Sequence, residues 1–252
     1  MPRYSCVISY DGGKFCGWQV QPNGVSVQQR LEEALTLLNG SPVKAAGAGR
    51  TDAGVHAKGQ VASFSMNRSW TPRKLLLAIN AHLPEAASVT SVQEREENFD
   101  ARRCALWREY AYFIWRGSFC YPQMKPYVWW KKQDQWDAEQ IRLACAMMEG
   151  VHDFSAFCRA GEVPDNPIRR MHFVRWVQRG RLSILRVRGD AFLTNMIRIM
   201  VGNLDQIGVG KKSLSWLQGL LEGGNRSDSA MTVPPQGLFF WRVGYPEQNK
   251  VQ

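Results

Sequence analysis

Residues 43–66 read VKAAGAGRTDAGVHAKGQVASFSM, and the pattern changes twice along them. Val43 to Ala48 and Gln60 to Met66 predict two short strands, flanking the segment Gly47 to Gly59, which is too rich in glycine to be regular. Upstream, Tyr4 to Tyr10 predicts another strand, closed by the turn residues Asp11-Gly12-Gly13. Ser26 with Gln29 three positions on marks a helix start. Val27, Leu31, Ala34, Leu35 and Leu38 then share one face, which belongs against a sheet, and Asn39-Gly40 ends the element. Downstream, Thr71-Pro72 opens a short helix that stops before Pro84. This passage is mixed α and β.

A second passage begins near Phe99. Arg108 to Trp115 is an aromatic, β-prone run that repeats the Tyr-x-x-x-Ile spacing of Tyr4 and Ile8 in Tyr110 and Ile114. A helix follows from Asp137 to Met148, with Asp137 and Gln140 as a capping pair. Met171 to Gln178 and Leu182 to Arg188 form a predicted hairpin across Arg179-Gly180-Arg181. In the long helix that comes next, Phe192, Leu193, Met196, Ile197, Ile199, Met200 and Leu204 cover most of the circumference, so burial is expected. Arg198 is conspicuous there.

The chain has 252 residues, 44% of them apolar, enough for a core that needs no metal or disulfide. Lys and Arg number 32 against 22 Asp and Glu, a formal charge of +10, which points to a polyanionic partner: nucleic acid first, an anionic membrane surface second. The six cysteines (Cys6, Cys16, Cys104, Cys120, Cys145, Cys158) have neither disulfide-framework nor zinc spacing and read as reduced thiols of a cytoplasmic protein. No signal sequence and no apolar run of about 18 residues is seen, so secretion and membrane spanning are not expected. His82, His152 and His172 are too dispersed for a metal site.

The candidate for chemistry is Gly47 to Ala57, where small residues surround one carboxylate, Asp52, and one guanidinium, Arg50. Such a loop lets a bulky ligand approach its backbone. It is equally the sequence of a tight turn whose aspartate only caps nearby N–H groups.

The stretch GRTDAGVHA-x-GQV-x-x-F (Gly49 to Phe64) closely resembles the signature of the tRNA pseudouridine synthase A family. The likeness continues, in family order, through FCGWQVQP (Phe15 to Pro22), NFDARRCALWREYAY (Asn98 to Tyr112), GVHDFSAFC (Gly150 to Cys158), FLTNMIRIMVG (Phe192 to Gly202) and PPQGLFF (Pro234 to Phe240). Departures are Ile197 where Val is common, Val233 where Ala is common, and an unfamiliar Arg169-Arg170-Met171.

The resemblance implies isomerisation of uridine to pseudouridine at positions 38, 39 and 40 of the tRNA anticodon stem-loop, without metal or cofactor, by a cytoplasmic homodimer. The bond from ribose C1′ to N1 breaks, the uracil turns, and a C1′–C5 bond forms. A carboxylate suits this as nucleophile at C1′ or as stabiliser of its positive charge. A glycal route through proton loss at C2′ uses the same residue. By motif matching Asp52 is catalytic and Arg50 fills the RNA stack when uridine flips out, or else contacts phosphate. Tyr110 stacks on the extruded base, though as a strand aromatic it would suit a core equally. Arg198 pairs with Asp52, with Asp205 as a local alternative, and Leu238 closes the pocket or is ordinary core. His56 reads as structural, and Trp129, Trp130, Lys131 and Lys132 as a half-buried strand end or as an aromatic, basic surface for RNA.

The architecture expected is α+β: two related α/β halves, residues 1–97 with the catalytic loop and 98–252, with mainly antiparallel sheets joined side by side and the active-site cleft between them. Two rivals stand beside this reading. One is an RNA-binding module without chemistry, told apart by an Asp52→Ala variant that leaves every activity intact. The other is a nucleoside or glycoside hydrolase, told apart by release of a free base.

Overall fold

The computed structural model describes residues 1–132 and 135–246. The chain is α+β, and its described residues fall into two compact units, one of 1–106 with 239–246 and the other within 107–238.

In the first unit, strands β1 (Arg3–Tyr10), β2 (Ala46–Gly47), β3 (His56–Ser65), β4 (Ala87–Arg95) and β10 (Leu238–Gly244) are joined by helices α1 (Val27–Asn39) and α2 (Pro72–Asn80). The strand order is β4-β1-β3-β10, with β2 also on β3. The β1–β3 and β1–β4 pairs are antiparallel, whereas β10 runs parallel to β3 through Phe239 opposite His56. Helix α1 has the ends its sequence demands. Ser26 is extended and its side chain accepts the Gln29 N–H, and Gly40 closes the helix in the left-handed region at φ 72°.

Strands β2 and β3 differ from their sequence reading, and β4 was not expected. Only Ala46–Gly47 of the 43–48 run pairs, because the Val43 N–H donates to Thr36 Oγ1 at 3.1 Å and the Ala45 N–H to Glu32 Oε1 at 3.0 Å. Side chains of α1 thereby take the donors that a ladder would have used. Strand β3 starts early, at His56, because Ala57 already pairs with Tyr10 and His56 with Phe239. Strand β4 has too many polar residues to announce itself, although Ala87, Val89 and Val92 are buried.

In the second unit, β5 (Trp107–Arg116), β6 (Trp129–Lys131), β7 (Gly150–Asp153), β8 (Ile168–Arg179) and β9 (Leu182–Gly189) are ordered β6-β5-β9-β8-β7. All pairs are antiparallel except β5–β6. The β8–β9 hairpin turns at Gly180, φ 56°, as its sequence predicts. Helices α3 (Ala138–Met147), α4 (Met196–Gly208) and α5 (Leu214–Leu221) complete the unit. Asp137 caps α3 through the Glu139 and Gln140 N–H groups. Every residue of α4 except Arg198 and Gln206 is buried, as its composition demands. The helix begins at Met196, later than the run of apolar residues suggests, because Asn195 is left-handed at φ 63°.

Among the described residues no helix is long and apolar enough to cross a membrane, and no three His, Cys, Asp or Glu side chains gather as metal ligands. All six cysteines are free thiols.

Candidate active site

The loop between β2 and β3 is fixed by side chains far from it in sequence. Thr51 is buried, its hydroxyl 2.8 Å from the Tyr10 hydroxyl and its carbonyl accepting the Trp18 N–H at 3.0 Å. The Gln60 amide donates to the Gly49 carbonyl at 2.8 Å, and the Ala48 N–H to Val61 at 2.8 Å. Burial pushes the Tyr10 phenol well above its usual range, so it stays neutral and able to donate. Two glycines permit the close approach. A Cβ on Gly12 would lie 2.0 Å from the Val55 carbonyl oxygen, and one on Gly47 2.5 Å from the Trp18 ring.

His56, 1% exposed, accepts the Gly12 N–H on Nδ1 at 3.1 Å and stacks on Phe239 with ring centroids 4.7 Å apart, the structural role expected of it. Between these anchors Gly54 turns the chain at φ 79° and the Val55 N–H bonds back to the Asp52 carbonyl at 3.1 Å. Arg50, Asp52 and Ala53 are thereby left exposed on a backbone held at both sides. Holding the backbone on both sides lowers the cost of ordering the loop when a ligand arrives.

In the second unit, Tyr110 lies on β5 opposite Val187, 8% exposed, with its ring edge-on to Phe192 at 5.0 Å. Arg198, on the first turn of α4, is half-buried. Its Nε donates to the Val233 carbonyl at 2.7 Å and its Nη1 to Asn195 Oδ1 at 2.8 Å. The local acid Asp205 is engaged by Lys131 at 2.8 Å and by the Trp136 indole at 3.1 Å. Lys131 is therefore part of the internal framework rather than of a free basic patch. Tyr112 donates to the Pro234 carbonyl at 2.7 Å. Burial raises its phenol pKa well above the ordinary value, and the positive charge of Arg198 opposes that rise. Gly237 lets the chain pass this ring, since a Cβ there would come within 2.8 Å of it, and Leu238, 6% exposed, follows at the start of β10.

A second charged group sits on β5 beside Tyr110. Glu109 is fully buried, its carboxylate gripped by Arg186 and by Arg188, the latter at 2.8 Å. Arg188 also stacks over Trp107 with 4.0 Å to the ring centroid. Removing either cation would leave a buried charge short of a partner next to Tyr110. Sequence inspection did not single out Tyr10, Trp18, Gln60, Glu109 or Asn195. The glycines at 12 and 47 were the available signal for a close approach, but not for what approaches.

A sequence profile of the family described as tRNA pseudouridine synthase matches residues 6–102 and 144–246. The chain is 39% identical to the tRNA pseudouridine synthase A of Exiguobacterium sibiricum, covering 99% of both chains. It is 40% identical to that of a Geobacter species, covering 98% of this chain and 100% of the relative. With the enzyme of Citrifermentans bemidjiense the identity is also 40%, covering 98% and 99%. Such likeness runs through both units and through the anchored loop alike, and the chain belongs to the tRNA pseudouridine synthase A family of intramolecular isomerases.

Proposed function

We propose that this enzyme converts uridine to pseudouridine at positions 38, 39 and 40 of the tRNA anticodon stem-loop, in the cytoplasm, as a homodimer. The observation that carries the reading is Asp52, exposed on a loop held on either side through Gly49, Thr51 and His56. In this reading Asp52, paired with Arg198, attacks ribose C1′, stabilises charge there or promotes proton loss at C2′ on the glycal route. Arg50 occupies the space left by the flipped nucleotide, Tyr110 stacks on the base with its hydroxyl available for the C5 proton, and Leu238 closes the pocket. The reaction needs no metal or cofactor.

The net charge of +10 suits a grip on the RNA backbone, and recognition by shape lets neighbouring uridines share one site. The dimer is supported by one face of the second sheet, where Leu182 and Ile184 are half-exposed and Val177 is exposed. Incubation with unmodified tRNA followed by chemical mapping of pseudouridine tests the activity. Product confined to positions 38 to 40 is expected, and release of free uracil would mean a hydrolase instead. Full-length tRNA is expected to be a much better substrate than the isolated anticodon stem-loop, and sedimentation should give a dimer. A monomer that modifies both RNAs equally would remove the dimeric part of the reading and leave the Asp52 chemistry standing.

A further inference from the structure

Asn195 breaks two habits at once. It is the one non-glycine residue with positive φ among the described residues, at φ 63° and ψ 3°. It also stands at the N-cap of α4, where asparagine is among the best residues, yet it makes no side-chain cap bond. Ser26, Asp137 and Ser213, the caps of α1, α3 and α5, are extended and accept N–H groups of their own helices; Thr71 of α2 is extended but makes no such bond, so it is the left-handed backbone that sets Asn195 apart. Left-handed backbone is disfavoured for any residue but glycine, least for asparagine, and the missing cap bond leaves first-turn N–H groups to other partners. Something must offset both.

The amide oxygen is turned to Arg198, whose Nη1 it accepts at 2.8 Å, while the Val233 carbonyl accepts Nε at 2.7 Å. Two acceptors on different edges of a planar fork set both its plane and its rotation. Val233 is fully buried and precedes Pro234, whose carbonyl takes the Tyr112 hydroxyl at 2.7 Å. The guanidinium is therefore built into a frame, where an arginine otherwise has four soft torsions to lose.

We propose that Asn195 is a positioning residue for Arg198: its left-handed conformation turns the amide away from the helix terminus and onto the guanidinium, holding that charge ready before RNA binds. This rests on the reading of Arg198 as the partner of Asp52. Glycine adopts the same φ without cost but lacks the amide, so Asn195→Gly separates the two roles.

The test compares Asn195→Gly, Asn195→Asp and Arg198→Met for melting temperature, affinity for unmodified tRNA, and single-turnover rate of pseudouridine formation. For Asn195→Gly the expected result is a melting temperature at or above wild type, affinity within about twofold, and a rate lowered about 10-fold, the scale of a misplaced group. Asn195→Asp keeps an acceptor for Nη1 and should recover most of the rate. A wild-type rate for Asn195→Gly alongside a slow Arg198→Met overturns the proposal, and so does a rate loss that merely follows a fall in melting temperature. A wild-type rate for Arg198→Met would instead refute the role given to Arg198 and take the positioning role with it.

Discussion

Helices α1 and α4 have the same length, 13 residues each, and opposite beginnings. At α1 the polar residue ahead of the helix serves the helix: Ser26 is fully buried and its hydroxyl accepts the Gln29 N–H. At α4 the corresponding polar residue serves a side chain, Arg198, and the helix begins without that bond. The contrast teaches where to look for function. A polar group that obeys local rules reports on stability, and one that breaks them to hold another side chain raises the hypothesis of a role in chemistry.

The comparison can be broken or sharpened by substitutions on its two sides. On the chemical side, Asp52→Asn should lower pseudouridine formation by more than about 10⁴-fold while tRNA binding persists, as loss of a reacting group does elsewhere. Retained turnover in a clean preparation would remove Asp52 from the chemistry. Arg198→Met should cut the single-turnover rate by about 10²–10³-fold, the range for losing one fixed electrostatic donor. It should also destabilise the fold by about 1–3 kcal/mol through the bonds lost to Val233 and Asn195. An effect on melting alone would place Arg198 on the structural side with Ser26.

Tyr110→Phe keeps the edge-on packing against Phe192 and loses only the hydroxyl, so RNA binding should hold and turnover should drop about 10²-fold. Tyr110→Ala should damage both. Wild-type turnover for the phenylalanine variant would confine Tyr110 to stacking. The smallest effect belongs to Ser26→Ala: about 1 kcal/mol of stability, read by denaturant titration, and no change in rate. A rate change there would erase the distinction between the two helix starts.

The elements legible in the sequence are those whose deciding contacts are local. Ser26 and Gly40 set both ends of α1, and Gly180 set the β8–β9 turn, within a few residues of the elements they govern. Legibility fails where distant side chains intervene. The 43–48 run has strand-like residues, but Thr36 and Glu32 take its N–H groups, and the start of α4 depends on an asparagine conformation that composition does not reveal. The Gly47 to Ala57 segment was legible as a place where something approaches, while the anchors Tyr10, Trp18 and Gln60 that shape it come from other parts of the chain.

The stacking of His56 on Phe239 has a consequence for how the protein is made. These two rings come from opposite ends of the first unit's chain path, and β10 reaches β3 only after all of the second unit has been translated. At about 5–20 residues per second, a ribosome leaves the early segment waiting some ten seconds or more for that ring. During this interval the His56–Ala57 end of β3 lacks its β10 partner, although β2 already lies against Ala62 and Ser63. Maturation of the Asp52 loop is therefore a late event of biosynthesis, and a polypeptide stalled before residue 239 should carry the whole signature Gly49 to Phe64 and yet be inert.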